Sequence, residues 1–324
     1  MTNIKRLLPI TYILLLIFLV CGPQSAARGE PLDRKEIDAD AKWIFHIDFD
    51  AGKATKVGYK VYEDWLSHGF AKATLQDVRE TIGLDLLADV RGITFYSTGF
   101  EIYGGVVIVR AKVDRQRLLG ILDGNATHEQ TIYAGHKLHT WVQEVEGLKS
   151  EVTGCFYRPD MVIVGRKAAE VKTALDVLDS KKPNLADSKS VLNRKASKGT
   201  VFELGASGLS DLDSDKIPFV SPVIRHCRAI LIDIGEDDRQ VFVSARLDTK
   251  TIEAARPIQD IIGGFLAMKR LERADDKIFI KSLDGMKLKA DNDTVQIDWR
   301  MPGPAVMRLI EQEWDKQQKA NQAE

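Results

Sequence analysis

Four stretches of alternating apolar and polar residues recur in the same order in the two halves of this 324-residue chain. Residues 43–49 read Trp-Ile-Phe-His-Ile-Asp-Phe, and residues 200–204 read Thr-Val-Phe-Glu-Leu. Residues 89–96 then match 226–233, residues 106–114 match 240–248, and residues 160–165 match 293–298. The offset between the last three pairs drifts by only a few residues, so the pattern reads as a duplicated supersecondary unit. Alternation of period two is the signature of a β-strand with one buried face. Turn-forming residues at 158–160, 284–285 and 291–293 reverse the chain within a few positions, and strands joined that tightly must run antiparallel.

The expected class is therefore α+β: a tandem duplication of a mainly antiparallel sheet unit with helices packed on one face, as two sheets or one continuous sheet. Residues 28–180 form the first repeat, the polar and turn-rich residues 181–199 a linker, and residues 200–324 the second repeat. A C-terminal helix starts near Pro304, and its polar end from Lys316 frays into solvent. Asp114 and Asp248 directly follow matched strands, which suits helix N-caps. Between its first two strands the first repeat holds residues 50–89, with helices near 59–68 and 75–81, where the second is shorter. Extra segments on a repeated scaffold often carry function.

The N-terminus gives an address. Lys5 and Arg6 precede an apolar run from Leu7 to Val20, and the small residues Ser25 and Ala27 follow. That order is a secretory signal, with cleavage after Ala27 or, alternatively, after Gly29. The run is too short to span a bilayer as a helix. Cys21 would allow lipid anchoring, but Val20 stands where a lipoprotein signal wants Gly, Ala or Ser, so a released periplasmic or secreted chain is expected. Loss of Lys5 and Arg6 takes the net charge from −1 to −3. A basic excess is absent, which argues against nucleic-acid binding. No second run suggests a transmembrane span. Cys155 and Cys227 sit in apolar strand-like runs, where two buried thiols or one bridge both fit.

His46, Asp48 and Asp50 alternate along the first strand. Period two places them on one face, opposite Phe45, Ile47 and Phe49, and imidazole with two carboxylates is a plausible metal-ligand set. The competing reading is a solvated polar face. His136 and His139 share an H-x-x-H spacing, but on a strand they point to opposite faces. Trp65, with Tyr62 and Leu66, forms a helical stripe in the extra segment; Trp141, Trp299 and Trp314 fit core positions. Gly104-Gly105 fits a strand entrance and Gly263-Gly264 a close contact within a helix. Asn125 and Asn292 begin N-x-T sequences that read as turns. Nucleophile-elbow, zinc-protease, Walker, dinucleotide-binding and C-x-x-C motifs are all absent, and no cofactor is expected.

The segments Leu-Asp-Leu-Leu-Ala-Asp-Val at 84–90, Thr-Ala-Leu-Asp-Val-Leu at 173–178 and Thr-Val-Phe-Glu-Leu at 200–204 give the chain a further likeness. It resembles a group of exported bacterial proteins that pair a signal peptide with a duplicated α+β unit. The resemblance implies export and that fold, and it brings no catalytic residue. The function expected is a non-catalytic binding or structural module of the cell envelope, with an unidentified protein or envelope ligand as partner. The alternative is a metal-dependent hydrolase using His46, Asp48 and Asp50.

Overall fold

Antiparallel pairing organises the whole chain. A computed structural model describes residues 31–66, 69–101, 104–145, 148–211 and 222–321; the signal segment 1–27 and Cys21 lie outside them. The strands are β1 (Trp43–Asp48), β2 (Val90–Ser97), β3 (Val106–Ala111), β4 (Glu129–Tyr133), β5 (His136–Val145), β6 (Leu148–Arg158), β7 (Met161–Gly165), β8 (Thr200–Ser207), β9 (Cys227–Asp237), β10 (Gln240–Thr249), β11 (Met286–Asp291) and β12 (Thr294–Pro302). They form one continuous 12-stranded sheet in the order β11-β12-β10-β9-β8-β1-β2-β3-β7-β6-β5-β4. The two halves therefore share one sheet. They meet where β1 pairs with β8, with His46 opposite Glu203 and Ile47 opposite Phe202. Outward from this seam, β1-β2-β3-β7-β6 mirrors β8-β9-β10-β12-β11.

Both faces of the central strands are covered. Ile44, Tyr96, Ile108 and Ile163 point to one face and belong to a core with Val171, Ala174 and Leu175 of helix α6 (Ala168–Leu178). Ile47, Ile93 and Val107 point to the other, against Tyr62 of α2 (Lys56–Leu66) and Val78 of α3 (Gly69–Ile82). Fully burying a Leu or Val contributes roughly 1.5–3 kcal/mol, so α6 is a principal seal on its face. The polar segment 181–199 does not hang free: Leu185 and Leu192 are buried in the same core as α6.

In the second half the helices lie on one side of the sheet. Helix α8 (Ile252–Glu272) packs Ala255 and Ile258 against Leu247 and Val295. Helix α10 (Gly303–Asn321) packs Ala305 and Val306 against Met301 and Val57, tying the C-terminus to the extra helices of the first half. It continues through Asn321, past the expected fraying at Lys316.

Local chemistry explains several boundaries. Asp114 caps helix α5 (Arg115–Asp123) by accepting from the Arg117 N–H. Asp248 does not cap; α8 starts only after Thr251, and Asp248 accepts from Arg246 Nε at 2.7 Å and from the Thr294 hydroxyl at 3.2 Å. Gly285 ends helix α9 (Lys277–Asp284) instead of turning a hairpin. Asn292 takes φ 50° between β11 and β12, the left-handed conformation such a turn needs. Gly105 enters β3 at φ +117°, where a Cβ would lie 2.6 Å from the Tyr96 carbonyl oxygen. Cys155 and Cys227 are free, buried thiols, each pushed up to about 11 by burial. No described helix is long and apolar enough to cross a membrane.

Candidate functional site

The structure separates His46, Asp48 and Asp50. The strand stops at Asp48, whose side chain turns to accept the Ala51 N–H at 2.8 Å and caps helix α1 (Phe49–Ala54). Asp50 is inside that helix, 3.1 Å from Lys53 Nζ and 3.4 Å from Arg91 Nε. His46 stays on β1 with Nδ1 2.9 Å from the Thr94 hydroxyl. Nor is this face solvated: the three residues are 5, 4 and 7% exposed. Among the described residues no group of three or more His, Cys, Asp or Glu is placed to hold a metal ion. The strand-borne metal centre is thus corrected by a helix cap, because the helical turn takes Asp50 out of the period-two register.

His136 and His139 point to opposite faces of β5, as their spacing requires. His136 Nε2 lies 3.0 Å from Asp179. The Asp179 carboxyl is pushed up by burial, but hydrogen bonds from Lys181, His136 and Tyr157 outweigh this and hold it below its ordinary value. His139 Nδ1 lies 3.0 Å from His128 Nε2, and His128 Nδ1 is 3.3 Å from Asp123. This relay escaped sequence reasoning, because the partners converge only when β5 folds beside the end of α5. Burial and the nearby His128 and Arg115 charges push the His139 imidazole down. The three groups form a chain, bonding through different nitrogens, and do not converge on one point.

The face of the second half that lacks helices carries a polar groove of about 290 Å³ lined by Arg194, Ser197, Asp233, Ser244, Arg246 and Asp298. Arg194 forks onto Asp233 at 2.8 and 2.5 Å. The Ser197 N–H and hydroxyl both donate to the same carboxylate at 2.9 Å. Burial raises the Asp233 carboxyl, yet these bonds prevail and hold it below the usual value. The fully bonded Asp233 carboxylate fixes the linker to the sheet, while Arg194 Nε is buried with no hydrogen-bond partner among the described residues. Glu203 next to it pairs with Arg34; burial pushes its carboxyl up, against the charges of Arg34 and Arg194.

The helical face differs. On α8, Ile261, Phe265, Met268 and Leu271 are 56, 54, 46 and 81% exposed. At 100° per residue they share an arc of about 120° beside the arc of Ala255, Ile258 and Ile262 that packs on the sheet. Gly263 and Gly264 make no close contact; a Cβ at either would meet open space. Leu204 and Ile234, on the same side of the sheet, are each 37% exposed. Single exposed apolar residues are ordinary; four on one arc of a helix make that arc the candidate interaction surface. This arc is the candidate site. The side chains of Trp65 and Trp314 lie outside the described residues; Trp141 is buried, and Trp299 donates its ring N–H to the Ser282 carbonyl at 2.7 Å.

No family model and no curated relative matches the sequence. Among solved structures the chain is similar to TP0453. Crystal form III of that protein shares 10% identity over 86% of this chain and 98% of TP0453, with a TM-score of 0.46. Form I gives 8% identity, 87% and 97% coverage and 0.42; form IV gives 9%, 86% and 97%, and 0.44. A likeness this faint says nothing about what the chain binds.

Proposed function

We propose that the chain is an exported, non-catalytic binding module of the cell envelope that engages a protein or envelope ligand through the apolar arc of α8. The N-terminal signal, cleaved after Ala27, supplies the export step in this reading, and the mature chain acts in the periplasm or outside the cell. One observation carries the proposal: Ile261, Phe265, Met268 and Leu271 stand exposed in one row. Covering four such half-exposed side chains supplies roughly 5 kcal/mol of hydrophobic transfer, part of which offsets the entropy of association.

The test is fractionation of the full chain expressed with its own leader. Wild type is expected with the envelope fraction. A Phe265→Glu, Leu271→Glu double variant, with unchanged circular dichroism, is expected in the soluble exported fraction. Identical fractionation of the two proteins would sink the reading. Both substitutions fall on exposed positions, so the fold tolerates them.

A further inference from the structure

On the face of the sheet opposite α8, between the end of β2, the start of β3 and the first turns of α6, lies a second cavity of about 150 Å³. Asp38, Tyr96, Ser97, Thr98, Glu170 and Thr173 supply its polar wall, and Val106 and Ala169 its aliphatic one. Tyr96 is 2% exposed, and its hydroxyl has no hydrogen-bond partner among the described residues. Buried hydroxyls are almost always bonded, so an orphan one lining a cavity marks a place where a ligand atom belongs.

The charges around the cavity select the ligand's sign. Burial, and after it the charges of Asp38, Glu170 and Glu36, keeps the Tyr96 hydroxyl protonated far above its ordinary range. Each carboxylate of the cavity wall uses one oxygen locally: Asp38 Oδ1 accepts from the Asp40 N–H at 2.8 Å, and Glu170 Oε2 from the Gly105 N–H at 2.9 Å. The nearby cation, Lys167, is held by Glu101 and lies 3.8 Å from Glu170 Oε1. The helix N-terminus adds a partial positive charge, which the acidic side chains outweigh. An anion is therefore disfavoured. A hard divalent metal is held by several carboxylates or a retained water shell, and among the described residues no group of three or more His, Cys, Asp or Glu is placed to hold one. A primary ammonium on a short carbon tail fits both halves of the cavity. Its N–H donors suit the Asp38 and Glu170 carboxylates and the Tyr96 oxygen, and its tail suits Val106 and Ala169.

We infer that this cavity, built around the unpartnered Tyr96 hydroxyl and the Asp38 and Glu170 carboxylates, is a binding site for a small primary amine in its ammonium form. It is independent of the α8 arc and stands or falls separately.

The test uses the purified, exported full-chain product and n-butylammonium chloride, followed by calorimetry and by NMR of labelled tyrosine rings. Saturable millimolar binding with a shift of the Tyr96 ring is expected. Glu170→Gln, which keeps an oxygen for the Gly105 N–H, should weaken it about tenfold by removing a charge-assisted hydrogen bond. Tyr96→Phe, which keeps the ring and the fold, should weaken it severalfold. Equal binding of n-butanol would overturn the proposal by reducing the cavity to an apolar hole. Binding of calcium chloride with the amine inert would overturn it in favour of a metal. No saturable response, or full affinity in both variants, would overturn it as well.

Discussion

Replacing Asp233 by Asn removes one negative charge where the linker meets the sheet while keeping the side chain's shape. The carboxylate receives four hydrogen bonds, two from the Arg194 guanidinium and two from Ser197, and Asp233 is 3% exposed. Removing one partner of a buried ion pair typically costs about 3–5 kcal/mol, because the other charge stays buried. Two features favour the low end: Arg194 lies 3.8 Å from Glu203, and the Asn oxygen can still accept from Ser197. The expected loss is about 3 kcal/mol. With a urea m-value of about 3 kcal/mol per molar, at the upper end of the usual range, the midpoint falls by about 1 M. The pH dependence supplies a second check. The folded carboxyl lies below 3.8, so the unfolded chain binds more protons as the pH falls through that region. The pair's contribution is full above the unfolded value and is lost as pH falls through the folded one. Wild type and variant should thus differ by a constant amount from pH 7 to about pH 4, and converge below. Urea melts at several pH values measure both. A midpoint change near zero at pH 7, or a gap that widens in acid, would refute the argument.

Other consequences are as direct. Leu175→Ala on α6, fully buried beneath the sheet, should cost about 2–5 kcal/mol through transfer and cavity terms, read from thermal or urea melts. Gly105→Ala should destabilise by about 1–3 kcal/mol, since φ is +117° and the new Cβ meets the Tyr96 carbonyl; a neutral result would mean that the strand entrance relaxes. Asp114→Ala should cost about 1 kcal/mol by uncapping α5. The His139 imidazole titrates below 6.5, so stability associated with its neutral form is present above pH 6.5 and declines as pH falls through the folded value; ring nitrogen chemical shifts over pH 5–8 report it.

Strand identity was legible because it rests on local alternation, and the antiparallel sense of β6–β7 and β11–β12 followed from the turns between them. The β1–β8 seam was not legible: residues 155 or more positions apart must find each other, and many apolar strand edges offer the same pattern. The metal reading failed at one residue. A strand register carried through Asp50 ignores that Asp48 is a good helix cap, and the cap wins by satisfying the Ala51 N–H. The solvated-face reading failed for a related reason. Alternation shows that two faces differ, yet not that the polar one meets water, and here His46 and Asp48 are roofed over. The α8 arc left a trace in the spacing of Ile261, Phe265 and Met268. That spacing also describes an ordinary core stripe, and only the packing of Ala255 and Ile258 shows which arc is spent on the sheet. The His128–His139 contact left none, since its partners are eleven positions apart, across a strand and a turn.

Residue-by-residue photocrosslinking along α8 in intact cells tests the central proposal most directly. A photoreactive amino acid placed at Ile261, Phe265, Met268 or Leu271 should give one shared adduct, and the same probe at Arg256, outside that arc, should give none. Adducts of equal strength around the whole helix, or none at the four apolar positions, would contradict the claim that this row of exposed side chains is what the protein uses to bind.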